Sequence, residues 1–374
     1  MNILQINSID SRGGAAKVAS RLGDQLQKDQ HEVNYLVGHK IGSANNVKEL
    51  AYPVVARTRN HKFRLHGAFL PTISCLEENN YYRSAEILHL HNLHLEPDGY
   101  FNVRDLPRLS QRKPIVWTIH DPWLIYERGQ TSEYDYFFNK IPGWYNYLKR
   151  HSVNAADLTI ISPSQWLADL VAKFYPGEKI KVIPNGVDTA IFKPLDREAA
   201  RRKLGFEANQ KIVLFVANEG EANGPKGSEF LKAAESKLTG KNFKFISLGS
   251  SSQKSYIEDE AQLAAYYNAA DLFALPSLAE NLPLTVLEAM ACGAPAVVFD
   301  TGGLKEIISH QVNGYLAKYK DKDDFIAGIK WLLGSGPQIR TAARKTIEEG
   351  FTLRQMVKKY GDLYADLLSD SALK

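Results

Sequence analysis

Apolar residues come along this chain in short bursts separated by helical patterns. Runs rich in aliphatic residues occupy 3–6, 33–37, 87–90, 115–119, 158–161 and 182–183. After the first of them Ala15, Val18, Ala19, Leu22 and Leu26 recur at the spacing that lines one helix face. The second half repeats the pattern: 212–216 leads through Gly220, Gly224 and Gly227 into a helix, and further strands are expected at 243–248, 272–275 and 296–299. Strands alternating with helices predict parallel sheets covered on both faces, here two Rossmann-like units in tandem. The stretch 188–194, followed by the charged 196–203, is the expected linker, which gives domains of 1–190 and 191–351. Open parallel sheets hold ligands beyond the carboxyl ends of their strands, so two such domains facing each other would enclose one deep cleft.

Composition narrows the class without naming a chemistry. A length of 374 residues suits two domains, and 44% hydrophobic with 24% charged residues is ordinary for a globular α/β protein. A net charge of +4 is too small for nucleic acid to be the main partner. No apolar run reaches the roughly 18–20 residues of a membrane span, and the opening Met1-Asn2-Ile3-Leu4 lacks the pattern of a signal peptide, so a cytoplasmic protein is expected. Cys75 and Cys292 are too few and too far apart for a Cys-rich metal site, and neither has the setting of a nucleophile.

The richest segment runs from Pro276-Ser277-Leu278-Ala279-Glu280-Asn281-Leu282-Pro283 to Glu288 and Ala291-Cys292-Gly293. It predicts a strand end, a loop and a helix, with Pro283 at the first helical position and Gly293 as its C-cap. Amides of Asn281 and Leu282 and the positive helix end would form an anion site, and Glu280 and Glu288 would offer fixed carboxylate acceptors to sugar hydroxyls. Taken alone, the two glutamates could equally be a helix-start charge and a solvated face residue.

Context decides between these readings. Pro276-Ser277, Glu280, Pro283, Glu288 and Ala291-Cys292-Gly293-Ala294-Pro295 resemble the signature of glycosyltransferase family 4, as do Tyr266-Tyr267-Asn268-Ala269-Ala270-Asp271, Gly302-Gly303 with Glu306, and Ile183-Pro184-Asn185-Gly186-Val187-Asp188 with Phe192. The resemblance implies a GT-B fold, retention at the transferred sugar, a donor held mainly by the second domain and an acceptor held mainly by the first. It implies that Glu288 binds the ribose, that Glu280 contacts the donor sugar, and that the Asn281 and Leu282 amides meet sugar and phosphate. It also implies a C-terminal helix, 352–374, that crosses back to the first domain.

Other constellations fit around this one. Gly13 and Gly14 follow the first strand, where their amides could approach a phosphate or merely form a tight turn; in the resembling family this turn covers the diphosphate. An NAD site is disfavoured, because the glycine spacing is wrong and the second strand ends in Val37-Gly38-His39 without an acid. Lys226, after Asn223-Gly224-Pro225, could place a positive charge on a leaving diphosphate. The family usually adds an arginine upstream, and none occurs from 204 to 338, which puts the strength of the phosphate clamp in question.

His120 and Asp121 close the run Trp117-Thr118-Ile119-His120-Asp121, and the resemblance places the family's active-site histidine at His120. His89, His91, Asn92 and His94 crowd another strand end, either as metal ligands with His120 or as a polar wall for acceptor hydroxyls. The lack of acidic or cysteine ligands favours the wall, with His91, Asn92 and Asp121 as acceptor residues. Six aromatics within 136–147, with Lys140, Lys149 and Arg150, suit peripheral contact at the inner face of the plasma membrane, an acceptor groove, or core.

The resemblance implies a hexosyltransferase, with UDP-glucose as the first expected donor and a glycan or lipid-linked saccharide as acceptor, as in exopolysaccharide synthesis. No cofactor and no divalent metal is expected, since the donor is itself a substrate. A nucleotide-sugar 2-epimerase and a degenerate sugar-binding protein are the alternatives.

Overall fold

The computed structural model describes every residue except 64, 95–98, 126–142, 217–225, 239, 241, 250–256 and 373–374. The chain divides into two compact units, Met1–Ile183 with Met356–Lys374, and Pro184–Gln355. The division falls at Ile183–Pro184, ahead of the 190/191 boundary expected from the linker composition.

The first unit is built on seven parallel strands: β1 (Asn2–Ile9), β2 (Glu32–His39), β3 (Val47–Glu49), β4 (Ile87–Leu90), β5 (Ile115–Thr118), β6 (Leu158–Ser162) and β7 (Lys179–Val182), in the spatial order β3-β2-β1-β4-β5-β6-β7. Every residue of β4, β5 and β6 is buried. Such near-continuous burial is the mark of a parallel sheet covered on both faces, and it is why these runs read as largely apolar bursts, broken by the buried His89, Thr118, Thr159 and Ser162. Strand order reverses between β1 and β4, so the crevice beyond their carboxyl ends is the topological switch point.

The second unit carries β8 (Lys211–Val216), β9 (Phe243–Leu248), β10 (Leu272–Leu275), β11 (Ala296–Phe299) and β12 (Gly314–Ala317), ordered β12-β11-β10-β8-β9. Its switch point lies between β8 and β10. Both sheets therefore have the doubly wound topology expected, and β3 and β12, short edge strands of three and four residues, are additions the apolar pattern did not announce.

The C-terminal helix Leu353–Ala372 starts in a capping box: the Gln355 side chain accepts from the Thr352 backbone N–H at 3.0 Å, and Thr352 Oγ1 accepts from the Gln355 N–H at 3.2 Å. Just before it, Val187 and Thr352 bridge as adjacent strands do. Gly186 permits this approach, because a Cβ there would lie 2.7 Å from the Leu353 backbone. From Met356 onward the helix belongs to the first unit, burying Met356, Val357, Tyr360, Leu363 and Tyr364 at helical spacing.

Candidate functional site

In the second unit, β10 delivers Pro276–Glu280 to the switch point and the helix Leu284–Ala291 follows. Pro283 is the N-cap (ψ 127°) rather than the first helical residue, so the helix starts one position later than its proline suggested. Its other end is a Schellman motif. Gly293 has φ +75°, its N–H donates to the Met290 carbonyl at 2.9 Å, and the Ala294 N–H donates to the Ala289 carbonyl at 2.9 Å. The first turn holds no acid and no side chain caps it, which leaves its positive end available to an anion.

Two glycines shape the loop that carries Glu280. Gly302 (φ +57°) packs so closely that a Cβ there would sit 1.7 Å from the Glu280 carbonyl oxygen, and Gly227 (φ +69°) would meet the Pro276 carbonyl at 1.9 Å. Thr301 and Tyr319 hydroxyls donate to the Leu278 carbonyl at 3.3 and 3.2 Å, and the Asn185 amide donates to the Leu282 carbonyl at 2.8 Å. Glu280 is thus placed by fixed backbone. Its carboxylate accepts from Lys226 Nζ at 2.6 Å, with only about a tenth of the carboxylate side chain exposed. The expected phosphate cation is accordingly found neutralising Glu280, while Asn223, Gly224 and Pro225 lie outside the described residues.

Glu288 is not a solvated face residue. It is 1% exposed and accepts from the Tyr267 hydroxyl at 3.2 Å. Asn281 and Leu282 are also buried, just ahead of the helix. Cys292 follows at the helix end with its thiol pushed up to about 12, first by burial and then by the Glu288 charge, so it is inert as a nucleophile at neutral pH.

In the first unit Gly13 (φ +87°) caps the helix Gly14–Lys28, and an added Cβ at either Gly13 or Gly14 meets nothing within 4 Å. The first turn again lacks an acid, so the amides that follow Gly13 are open to an anion. Asn92 follows β4 half-buried; its N–H donates to Asn7 Oδ1 at 3.2 Å and its carbonyl accepts from the Tyr100 hydroxyl at 2.6 Å. Asp121 accepts from the Trp123 N–H at 2.9 Å and pairs with His94 at 3.0 Å. Burial alone would raise its carboxyl, but the charge and hydrogen bond of His94 and the Trp123 N–H hold it below the ordinary value.

His91 requires a correction. It is fully buried, with Nε2 on Gln5 Oε1 at 2.9 Å and Nδ1 on His120 Nε2 at 3.0 Å, so it supports His120 rather than lining a wall for acceptor hydroxyls. His89 is buried beside it, bonded to Tyr364 and Thr118 at 2.7 and 2.8 Å. Desolvation pulls His120 down to about 4, assisted by His94 and opposed by Asp121, and burial takes His89 to about 3, so both imidazoles are neutral at pH 7. Among the described residues no group of three or more His, Cys, Asp or Glu side chains has a metal-binding arrangement.

The aromatic segment divides. Tyr136, Phe137, Phe138 and Lys140 lie outside the described residues, whereas Tyr145 and Lys149 are buried in the helix Gly143–Asn154, Lys149 donating to the Trp123 carbonyl and lying 4.3 Å from the Trp123 ring centroid. Lys149 is therefore part of the packed interior, and only Trp144 and Tyr147 are exposed large aromatics there. No helix among the described residues is long and apolar enough to cross a membrane. Sequence reasoning missed Gln5, the partner of His91, and gave no role to Tyr267, the partner of Glu288, although it stood in a matched motif. Gln5 left a signal, a lone amide within the apolar run Ile3-Leu4-Gln5-Ile6.

Comparison with known proteins covers both units. Residues 12–191 match the family described as Glycosyltransferase Family 4, and 256–350 match Glycosyl transferases group 1. The chain is 26% identical to an uncharacterized glycosyltransferase of Methanocaldococcus jannaschii over 94% of each chain. Sucrose-phosphate synthase from Thermosynechococcus elongatus superposes with a TM-score of 0.77 at 18% identity, covering 99% of this chain and 100% of that one. Anabaena HepE in complex with UDP-glucose gives 0.72 at 16% identity, covering 98% and 99%. At such identities the structural likeness speaks for the fold alone, which is GT-B. With the sequence matches spanning both sheets and their strand-end residues, the chain belongs to glycosyltransferase family 4.

Proposed function

We propose that this transferase moves a hexose, with retention, from a nucleotide-diphosphate sugar to a glycan or lipid-linked saccharide in bacterial polysaccharide synthesis, with UDP-glucose as the first donor to test. The observation that carries the reading is the Lys226–Glu280 pair, 2.6 Å apart at the switch point of the second sheet, beside an uncapped helix start. A cation and a carboxylate held together suit a ligand that brings its own anion and its own hydroxyls. The diphosphate takes over Lys226, and Glu280 turns to the sugar.

In this reading Glu288 accepts from the ribose and His120 hydrogen-bonds the reacting sugar as a neutral imidazole. The bond from the anomeric carbon to the diphosphate oxygen breaks with its electron pair going to the diphosphate. The acceptor oxygen bonds to the same face, and its proton passes to a diphosphate oxygen. Lys226, the amides of Gly14, Asn281 and Leu282, and the helix dipole oppose the charge that collects there, without a divalent metal.

Peripheral membrane contact is assigned to the helix Val54–Phe63; of the 136–150 segment, 136–142 lie outside the described residues and Tyr145 and Lys149 are buried. Val54, Val55 and Phe63 are 78%, 80% and 62% exposed, alongside Arg57, Arg59 and Lys62. No acid occurs from 50 to 76, so the surface is both apolar and cationic, as an anionic bilayer requires.

A thermal-shift panel of nucleotide-diphosphate sugars tests the donor class, since a ligand that binds only the native protein raises Tm with its affinity. Stabilisation by UDP-glucose followed by transfer is expected. Conversion of the donor with no acceptor present would instead indicate a 2-epimerase, and binding without transfer to any acceptor a sugar-binding protein.

A further inference from the structure

We propose that Gln5 and His91 are a buried positioning pair that fixes the tautomer and ring orientation of His120. The inference deepens the reading above, in which His120 meets the reacting sugar, and it rests on that reading for its functional consequence.

Strand register supplies the geometry. Gln5 on β1 lies opposite His89 on β4, and His89 lies opposite Val116 on β5. Side chains alternate along a strand, so Gln5, His89, His91, Thr118 and, just past the end of β5, His120 fall on one face of the sheet. The C-terminal helix covers this face: the Tyr364 hydroxyl bonds His89 Nδ1 at 2.7 Å, and the Tyr360 hydroxyl bonds Thr118 Oγ1 at 2.7 Å. The stripe is polar yet shut away from water, since Gln5, His89, His91 and Thr118 are each 0% exposed.

The order of donors and acceptors along the stripe turns on the Gln5 amide, whose Oε1 faces His91 while its buried Nε2 has no hydrogen-bond partner. With Gln5 Oε1 facing His91 at 2.9 Å, the oxygen only accepts, and in this orientation His91 carries its hydrogen on Nε2. Burial keeps His91 from protonating, so its Nδ1 only accepts, and the His120 Nε2–H must donate to it at 3.0 Å. His120 is thereby held as the Nε2–H tautomer, its ring stacked against His91 with centroids 5.3 Å apart. Reversing the Gln5 amide would reverse every donor along the chain, so the tautomer of His120 reads out the whole arrangement. His91 and Gln5 touch no substrate in this scheme; they act through His120.

The test combines ring-nitrogen NMR of histidine-labelled protein with donor kinetics on His91→Leu, His91→Asn and Gln5→Met. Wild type is expected to show His120 as Nε2–H, and His91→Leu and Gln5→Met to show mixed tautomers. Turnover in these two should fall roughly 10- to 100-fold with the donor KM little changed, the size of loss a misplaced reacting group produces. His91→Asn, whose side-chain oxygen can stand where Nδ1 stood, should restore both tautomer and turnover. An Nδ1–H tautomer in wild type, or an unaltered His120 tautomer in the variants, overturns the proposal. Should His91→Leu fail to fold, Gln5→Met, nearly isosteric, carries the same readout. If the wild-type protein turns over no sugar donor, the functional reading fails while the NMR measurement still decides the positioning role.

Discussion

Lys226 Nζ lies 2.6 Å from Glu280 Oε1, so the cation expected on the phosphate and the carboxylate expected on the sugar hold each other. Each holds the other in place, and neither can be changed without disturbing the other. A buried carboxylate stripped of its cation costs more than the roughly 1–3 kcal/mol of an unsatisfied neutral group.

Glu280→Gln keeps the shape and removes the charge. Transfer should fall roughly 100- to 1000-fold, with the fold and most nucleotide affinity intact. Steady-state rates with circular dichroism and nucleotide titration check this, and unchanged turnover would refute the assignment of Glu280.

Glu288→Ala should raise the donor KM strongly while kcat changes little, because a group gripping the ribose binds ground state and transition state alike. Tyr267→Phe, which removes only the 3.2 Å hydrogen bond to Glu288, should give a smaller rise. Kinetics across a donor concentration series separate the two, and an unaltered KM in Glu288→Ala would remove Glu288 from the ribose.

Gly302→Ala should lower turnover about as much as a direct change at Glu280. Its φ of +57° disfavours any side chain, and the new methyl would collide with the Glu280 carbonyl. A structure of the variant should show the Glu280 loop displaced; full activity with an undisturbed loop would contradict the packing argument.

Stability should fall on acidification. The folded-state values of His120 and His89, about 4 and about 3, lie below the 6.5 of the unfolded chain. Between those values and 6.5 the unfolded chain binds more protons, so stability is full above about pH 6.5 and is lost as pH falls toward 4 and then 3. Urea unfolding at pH 7.5, 6 and 5 should show a decreasing midpoint, and His89→Gln should flatten the trend; a flat wild-type profile would rule the mechanism out.

Vesicle sedimentation tests the helix Val54–Phe63. The protein should pellet with vesicles containing anionic phosphatidylglycerol and stay in solution with pure phosphatidylcholine. High salt, or Val54→Asp with Val55→Asp, should release it. Binding that ignores both salt and these substitutions would dismiss this surface.

The sequence by itself determined what depends on neighbours along the chain. Apolar bursts marked the strands, 87–90, 272–275 and 296–299 being recovered as Ile87–Leu90, Leu272–Leu275 and Ala296–Phe299, because a strand buried on both faces is apolar at nearly every step, His89 being the exception. The Glu280–Gly293 motif likewise announced its loop and helix through residue types that act locally.

Tertiary structure alone decided the partnerships. Lys226 and Glu280 are 54 residues apart, Gln5 and His91 are 86 apart, and His89 and Tyr364 are 275 apart, distances over which no periodicity carries information. Whether a histidine at a strand end faces a ligand or holds its neighbour depends on which strands lie beside it. Only the β1-β4-β5 order and its register could turn His91 away from the acceptor role and toward His120.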